Sequence, residues 1–193
     1  MKNTKRNKIL LVLFCVILPL LLVLLSYKII LYISHTTTAQ EKVFHFLAGK
    51  ENLSPEFTAL EVSHLQDVKR VMNYADYIFY ILLLLVTVMI TYFGQNKKFL
   101  AQLCEYGGKV SVVSMLVIVG LAVLFFDTIF TLFHSIFFPQ GNWQFAADST
   151  IIQTFPIDFF MSISRNIFLL SLFLGMIFIL LGHYFKNVHD NRN

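Results

Sequence analysis

The chain is poor in charge, proline and cysteine. Charged residues make up 13% of its 193 positions, and there are 4 Pro and 2 Cys. Two cysteines cannot frame a disulfide-rich fold. Cys15 lies inside an apolar run and Cys104 in a connecting loop of the expected topology, and neither is placed where an outer active site would use a thiol. Familiar catalytic patterns are missing as well. There is no Gly-x-Ser-x-Gly nucleophile elbow and no Walker phosphate loop. No His-Glu-x-x-His or other compact ligand pattern is present to hold a catalytic metal. No strand repeat at barrel spacing occurs. The formal charge of +4 reflects a bias between loops and does not mark a nucleic-acid surface.

What the chain does have is apolar length. Hydrophobic residues make up 57% of it, with 21 Phe and a mean hydropathy of +0.71. A membrane helix needs roughly 17–25 mainly apolar residues. Four runs meet that requirement, at about 9–33, 75–93, 109–133 and 163–184. Helices satisfy their own backbone in lipid, so the expected fold class is all-α. The expectation is one integral membrane domain over 1–193, a four-transmembrane-helix bundle. Outer loops 34–74 and 134–162 would carry an extracellular amphipathic helix and interfacial segments. The first run follows Lys2, Lys5, Arg6 and Lys8, as a signal peptide would. It is much longer than the usual apolar stretch of about 7–15 residues and lacks a small-residue cleavage site, so it reads as a retained helix.

Basic residues set the expected orientation. The N-terminal flank, the loop carrying Lys97, Lys98 and Lys109, and the tail with Lys186 and Arg192 hold nine Lys or Arg on one side. The opposite side carries Lys42, Lys50, Lys69 and Arg70 in its first loop, and its second loop has none before Arg165. The positive-inside rule therefore places both termini in the cytoplasm.

The outer loops hold the groups able to do chemistry. A short interfacial helix is expected over Gln40 to Leu47, ended by Gly49. Ser54-Pro55-Glu56 reads as the start of an amphipathic helix with Phe57, Leu60, Leu65, Val68, Val71 and Met72 on its apolar face. His64 lies within that face, with Glu61 three residues before it and Asp67 three residues after. Either carboxylate could orient its imidazole. The cytoplasmic loop is expected at Gly94 to Gly108. At the outer end of the third run comes His134-Ser135-Ile136-Phe137-Phe138-Pro139-Gln140-Gly141-Asn142-Trp143. Pro139 and Pro156 argue against one continuous helix through this loop. Asp127, Thr131 and His134 share one helical face. An acid inside an apolar run suggests a functional site or a structural ion pair, with Arg165 or Lys28 as possible partners. Ser135 adjoins His134 but points away from it on a helix, so a Ser–His dyad would have to form across loops.

Two imidazoles on one side of a membrane can supply a general base and a general acid. Trp143 suits an interface anchor. Phe137, Phe138 and Phe145 could anchor too, or line an acyl groove. Gly141 permits a turn or the close approach of a head group. The Asn142 amide or nearby backbone N–H groups could stabilise an oxyanion. Residue types alone leave an enzyme and a binding module equally open.

Two segments carry a resemblance. Phe57-Thr58-Ala59-Leu60-Glu61-Val62-Ser63-His64-Leu65-Gln66-Asp67-Val68-Lys69 resembles a Glu-x-x-His-x-x-Asp-Val-Lys segment of the lipoprotein intramolecular transacylase family, Lit, of low-GC Gram-positive bacteria. His134 to Phe145, followed by Phe155-Pro156-Ile157-Asp158-Phe159-Phe160, resembles that family's outer loop. Four spans with both termini inside also fit, whereas the region before Leu53 and the cytoplasmic loop match only in kind.

The resemblance implies an acyltransferase at the outer face of the bacterial cell membrane. Its substrate would be the N-terminus of a diacylglyceryl-modified lipoprotein, among membrane lipids. The sn-2 acyl chain would move to the α-amine of the terminal cysteine, leaving a lyso-form lipoprotein. The family's two catalytic histidines fall on His64 and His134. In the expected scheme His134 takes the amine proton. His64, held by Glu61 or Asp67, protonates the glyceryl oxygen or stabilises the oxyanion, and no covalent acyl-enzyme forms. Asp127 and Asn142 are expected in support, and Lys69, Phe137, Phe138, Gly141, Trp143, Phe145 and Arg165 in substrate binding. Such chemistry needs no cofactor, metal, ATP or acyl-CoA. The alternatives are another membrane lipid acyltransferase or lipase, and a non-enzymatic immunity or assembly protein.

Overall fold

The computed structural model describes residues 2–190. Arg192, counted above among the basic residues of the tail, lies outside them, as do the side chains of Lys2 and His189. The elements are α1 (Lys2–Ile33), α2 (Thr38–Leu47), α3 (Ala59–Tyr92), α4 (Lys97–Leu124), α5 (Phe126–Phe137), α6 (Thr150–Thr154) and α7 (Ile157–Asp190). No strand occurs among the described residues. Four of the helices, α1, α3, α4 and α7, are long and apolar enough to cross a membrane. The protein is an all-α polytopic membrane protein.

Chain contacts divide the protein into two compact units. The first draws on Met1–Ile30, Ile78–Gly120 and Asn166–Asn193. Phe14, Ile17, Leu18 and Leu21 recur at helical spacing on α1. They pack with Phe79, Leu82, Val86 and Met89 of α3 and with Phe99 and Leu103 of α4. Outward faces remain apolar, with Leu84, Val117 and Leu180 exposed. That pattern suits lipid, because a helix with internally paired backbone can present hydrocarbon on all sides.

Within this unit the structure corrects the expected loop at Gly94 to Gly108. Helix α4 already begins at Lys97, and the Asn96 side chain accepts the Phe99 N–H at 3.1 Å. Gly107 and Gly108 lie inside the helix. A Cβ on Gly107 would come within 2.8 Å of the Phe14 ring, and one on Gly108 within 2.8 Å of the Gly175 carbonyl oxygen. These glycines permit close helix packing, which outweighs their weak local propensity.

The second unit comprises Leu31–Tyr77 and Leu121–Arg165. Its core joins Val43 and Leu47 of α2, Leu65 of α3, Ile151 of α6 and Phe155. Helix α2 forms where a short helix was expected and is started by a capping box. The Thr37 hydroxyl accepts the Gln40 N–H at 3.3 Å, and the Gln40 side chain accepts the Thr37 N–H at 3.0 Å. The Gln40 amide then donates to the Thr154 carbonyl at 2.9 Å, tying α2 to the end of α6.

Two further boundaries differ from the sequence reading. Helix α3 starts at Ala59 rather than at Ser54-Pro55, which forms a turn. Thr58-x-x-Glu61 offers reciprocal bonds to the first turn. Ser54-x-x-Phe57 cannot, because phenylalanine has no acceptor. The third apolar run is divided at Phe125 (φ −135°, ψ 39°) into α4 and α5. Hydrogen bonds continue across the bend, from Phe125 N–H to Leu121 O and from Ile129 N–H to Phe125 O. The bend needs neither proline nor glycine, so hydropathy alone does not mark it. Pro139 and Pro156 do fall between helices, and α7 begins at Ile157, earlier than the apolar run.

Candidate active site

His64 lies one turn into the first part of α3, only 8% exposed. Its ring packs against Phe138 and Phe145, with centroids 4.7 Å and 5.5 Å away. One turn further along α3 is Asp67, also buried. Asp67 Oδ2 accepts the Asn142 amide at 2.8 Å and the Gln140 amide, and Oδ1 pairs with Arg70. A buried carboxylate without such donors would be costly, so these bonds lock the Pro139–Asn142 turn onto α3. Gly141 closes the turn, with its N–H donating to the Phe138 carbonyl at 3.1 Å. Its φ of 75° lies in the left-handed region that glycine enters at least cost.

Asn142 is the buried centre of this arrangement. Its Nδ2 donates to Ser63 Oγ at 3.1 Å as well as to Asp67, so both amide hydrogens are engaged within the protein. Its Oδ1 and the Nδ1 of His64 are both buried and make no well-formed hydrogen bond among the described residues.

His134 is placed by α5, in its last turn. Its Nδ1 lies 2.8 Å from the Phe130 carbonyl oxygen, one turn back. A carbonyl only accepts, so Nδ1 carries the hydrogen and Nε2 remains for exchange. The ring stacks beside Phe130 at 4.0 Å and Trp143 at 4.8 Å. It also meets Phe138, at 5.6 Å. Phe138, 4% exposed, is thus the shared neighbour of both imidazoles. Their ring centres are no farther apart than the sum of those two contacts.

The other candidate residues take distinct places. Glu61 does not face His64. Its Oε2 accepts the Thr58 N–H at 2.7 Å and the Thr58 hydroxyl at 2.8 Å, and its Oε1 accepts the Ile151 N–H at 2.8 Å. It therefore caps α3 and anchors the start of α6. Lys69 donates to the Phe46 carbonyl at 2.9 Å, neutralising the C-terminal end of α2. Arg165 donates to Ser162 of its own helix at 3.5 Å. Asp127 is exposed in the first turn of α5, where a carboxylate meets the positive end of the helix dipole. Phe137 is exposed and packs against Phe133. Phe145 joins the core of this unit.

Three contributors had no sequence signal of their own: Gln140, Ser63 and Phe130. Gln140 and Ser63 act across more than 70 residues of chain, through Asp67 and Asn142. Phe130 acts through its carbonyl, and the four-residue spacing to His134 was the only available hint.

A family model described as "Lipoprotein intramolecular transacylase Lit" matches residues 22–160. The fold is similar to solved structures of the membrane integral lipoprotein intramolecular transacylase Lit from Bacillus cereus. One, carrying a histidine-to-arginine mutation, aligns with a TM-score of 0.83 at 15% identity, covering 99% of this chain and 96% of that one. A second structure of that protein gives 0.81 at 16% identity, covering 97% and 99%. A comparison with curated proteins by sequence gives no match.

Proposed function

The chain belongs to the lipoprotein intramolecular transacylase family Lit, and from that premise we propose that it moves the sn-2 acyl chain of a diacylglyceryl-modified lipoprotein onto the α-amine of its terminal cysteine. As a member of that family it is a membrane-integral acyltransferase acting on lipoproteins. The finer reading is carried by one observation. Two imidazoles from distant parts of the chain pack against one ring, Phe138, inside one unit.

The positive-inside bias supports cytoplasmic termini and a site at the outer face. The apolar run that reads as the membrane-spanning part of α3 begins at about residue 75. The preceding turns carry Glu61, His64, Asp67, Lys69 and Arg70 and lie outside it. There, burial and then the neighbouring His134 hold the His64 imidazole below the ordinary histidine range, against smaller opposing contributions from Asp67 and Asn142. A neutral imidazole is the form that accepts a proton. His134 lies in the last turn of α5 with Nδ1 on the Phe130 carbonyl and aromatic faces beside it, so Nε2 is the ring nitrogen left to give a proton. We therefore read His64 as base and His134 as acid, the reverse of the order expected from the sequence.

The α-amine has a reference pKa of about 7.7–8.0 and attacks only when neutral. His64 takes a proton from the amine nitrogen as that nitrogen bonds to the ester carbonyl carbon. The carbonyl π pair moves to oxygen. When the carbonyl re-forms, the bond to the glyceryl sn-2 oxygen breaks with its electron pair, and His134 protonates that oxygen. One proton passing from His64 to His134 restores both. Amine and ester belong to one substrate, so holding them in reach supplies much of the rate, and no enzyme nucleophile is needed. Phe137, Trp143 and the outward apolar helix faces give acyl chains an apolar environment.

The test is mass spectrometry of a lipoprotein N-terminus from cells with and without this protein. The expected product carries an amide-linked acyl chain on cysteine and a free sn-2 hydroxyl. A donor other than the lipoprotein's own glyceryl ester, traced by isotope-labelled acyl chains, would overturn the intramolecular reading.

A further inference from the structure

Asn142 is the side chain through which the Pro139–Asn142 turn meets α3 at both Ser63 and Asp67. It is 7% exposed and follows Gly141, whose left-handed backbone turns the chain back toward α3. Its two amide hydrogens go to Asp67 Oδ2 and Ser63 Oγ. Asp67 fixes which way the amide faces, because the flipped amide would set its oxygen against a carboxylate. Gln140 and Arg70 hold Asp67 in turn. The Asn142 oxygen is left buried, and so is the Nδ1 of His64, the residue after Ser63; neither atom has a hydrogen-bond partner among the described residues. An amide oxygen that reaches a ring N–H favours the protonated ring, the direction in which Asn142 bears on His64. That is the behaviour of an acceptor.

Resting on the acid–base reading above, we infer that Asn142 is a positioning residue whose Oδ1 accepts the Nδ1–H of His64, fixing the tautomer that turns the Nε2 lone pair toward the substrate amine. An amide suits the task better than a carboxylate would. A carboxylate there would crowd Asp67 and hold the imidazole in its charged form, in which it cannot accept a proton. Asp67 and its partner Arg70 on α3, and His134 on α5, are the charged or titratable groups acting on His64 that this balance involves.

The experiment uses the purified full chain in lipid nanodiscs, with nitrogen-labelled histidine and His64→Gln to assign the signal. At mildly alkaline pH, His64 should show the tautomer protonated at Nδ1. In Asn142→Ala the tautomer protonated at Nε2 should become populated. Turnover should then fall roughly 10–100-fold with KM little changed, the scale seen when the group orienting a metal-ligating histidine is lost. Asn142→Asp keeps the shape and restores the acceptor. Its kcat should be lost at higher pH than in the unaltered enzyme as acid is added, because the new charge favours imidazolium. Retention of the original tautomer in Asn142→Ala overturns the inference, as does an unmoved acid limb in Asn142→Asp. The aspartate variant gives its answer even if the alanine variant fails to fold. The tautomer is read without any acyl transfer. The expected tautomer in a protein that moves no acyl chain would therefore sink the proposed reaction and leave the Asn142 placement standing.

Discussion

His64 is buried against Phe138 and Phe145, one helical turn before the carboxylate that anchors the Pro139–Asn142 turn, whereas His134 is held by aromatic rings and one backbone carbonyl. The first arrangement is buried and constrained by side chains from a distant turn. The second is half-exposed and built almost wholly from its own helix, with Trp143 added. The difference bears on chemistry because the same side chain becomes a base or an acid according to which charge state its surroundings favour. A dry pocket suits the neutral ring, and a helix C-terminus with aromatic faces suits the cation.

The largest effect should come from removing either imidazole. His64→Asn and His134→Asn keep hydrogen-bonding capacity but cannot exchange a proton. Each should lower the transfer rate by about 10²–10⁴-fold. Full activity in both, measured on a diacylglyceryl peptide, would remove the acid–base reading. Asp67→Ala should come next, with a loss of roughly 10–100-fold as the Pro139–Asn142 turn is released from α3. The milder Asp67→Asn separates charge from shape. Asp67 raises the pKa of His64, so its neutralisation should lower that pKa further. The base is then neutral to lower pH, and the acid limb of the kcat profile should move down. A limb that moves up would reverse the His64 assignment. Trp143→Leu removes one aromatic face from His134. Losing a cation–π contact of about 0.5–2 kcal/mol should slow turnover by roughly 2–30-fold, with no shift of the limb belonging to His64. Gln40→Ala lies outside the contrast altogether. It should cost about 1 kcal/mol of stability in thermal or denaturant unfolding and leave turnover per folded molecule unchanged.

The four apolar helices, the short helix after Thr37 and the proline-marked breaks were legible because each leaves a local signature: length, periodicity or a missing N–H. Both histidines of the proposed site stand out in the sequence, and the resemblance of their flanking segments to a family suggested the proposed reaction. The bend at Phe125 was hidden because its hydrogen bonds continue. The helical Gly107-Gly108 pair was hidden because its reason is a neighbour's ring and a neighbour's carbonyl. Glu61 shows the limit most clearly. Three residues from His64, it looked like that imidazole's orienting acid, yet its oxygens are engaged by Thr58 and Ile151. Spacing gives the residues within reach of a carboxylate, while the backbone N–H groups that need an acceptor decide which of them it serves.

Asp67 gathers Gln140 and Asn142 from a turn more than 70 residues away, along with Arg70 from its own helix. That convergence couples the side chains at these positions to one another. A lineage that loses the carboxylate leaves Gln140 without that partner and Asn142 with Ser63 alone, and one that loses the amides leaves a buried carboxylate with Arg70 alone. Across the family, changes at 67, 140 and 142 should therefore arrive together, even where the surrounding phenylalanines drift freely.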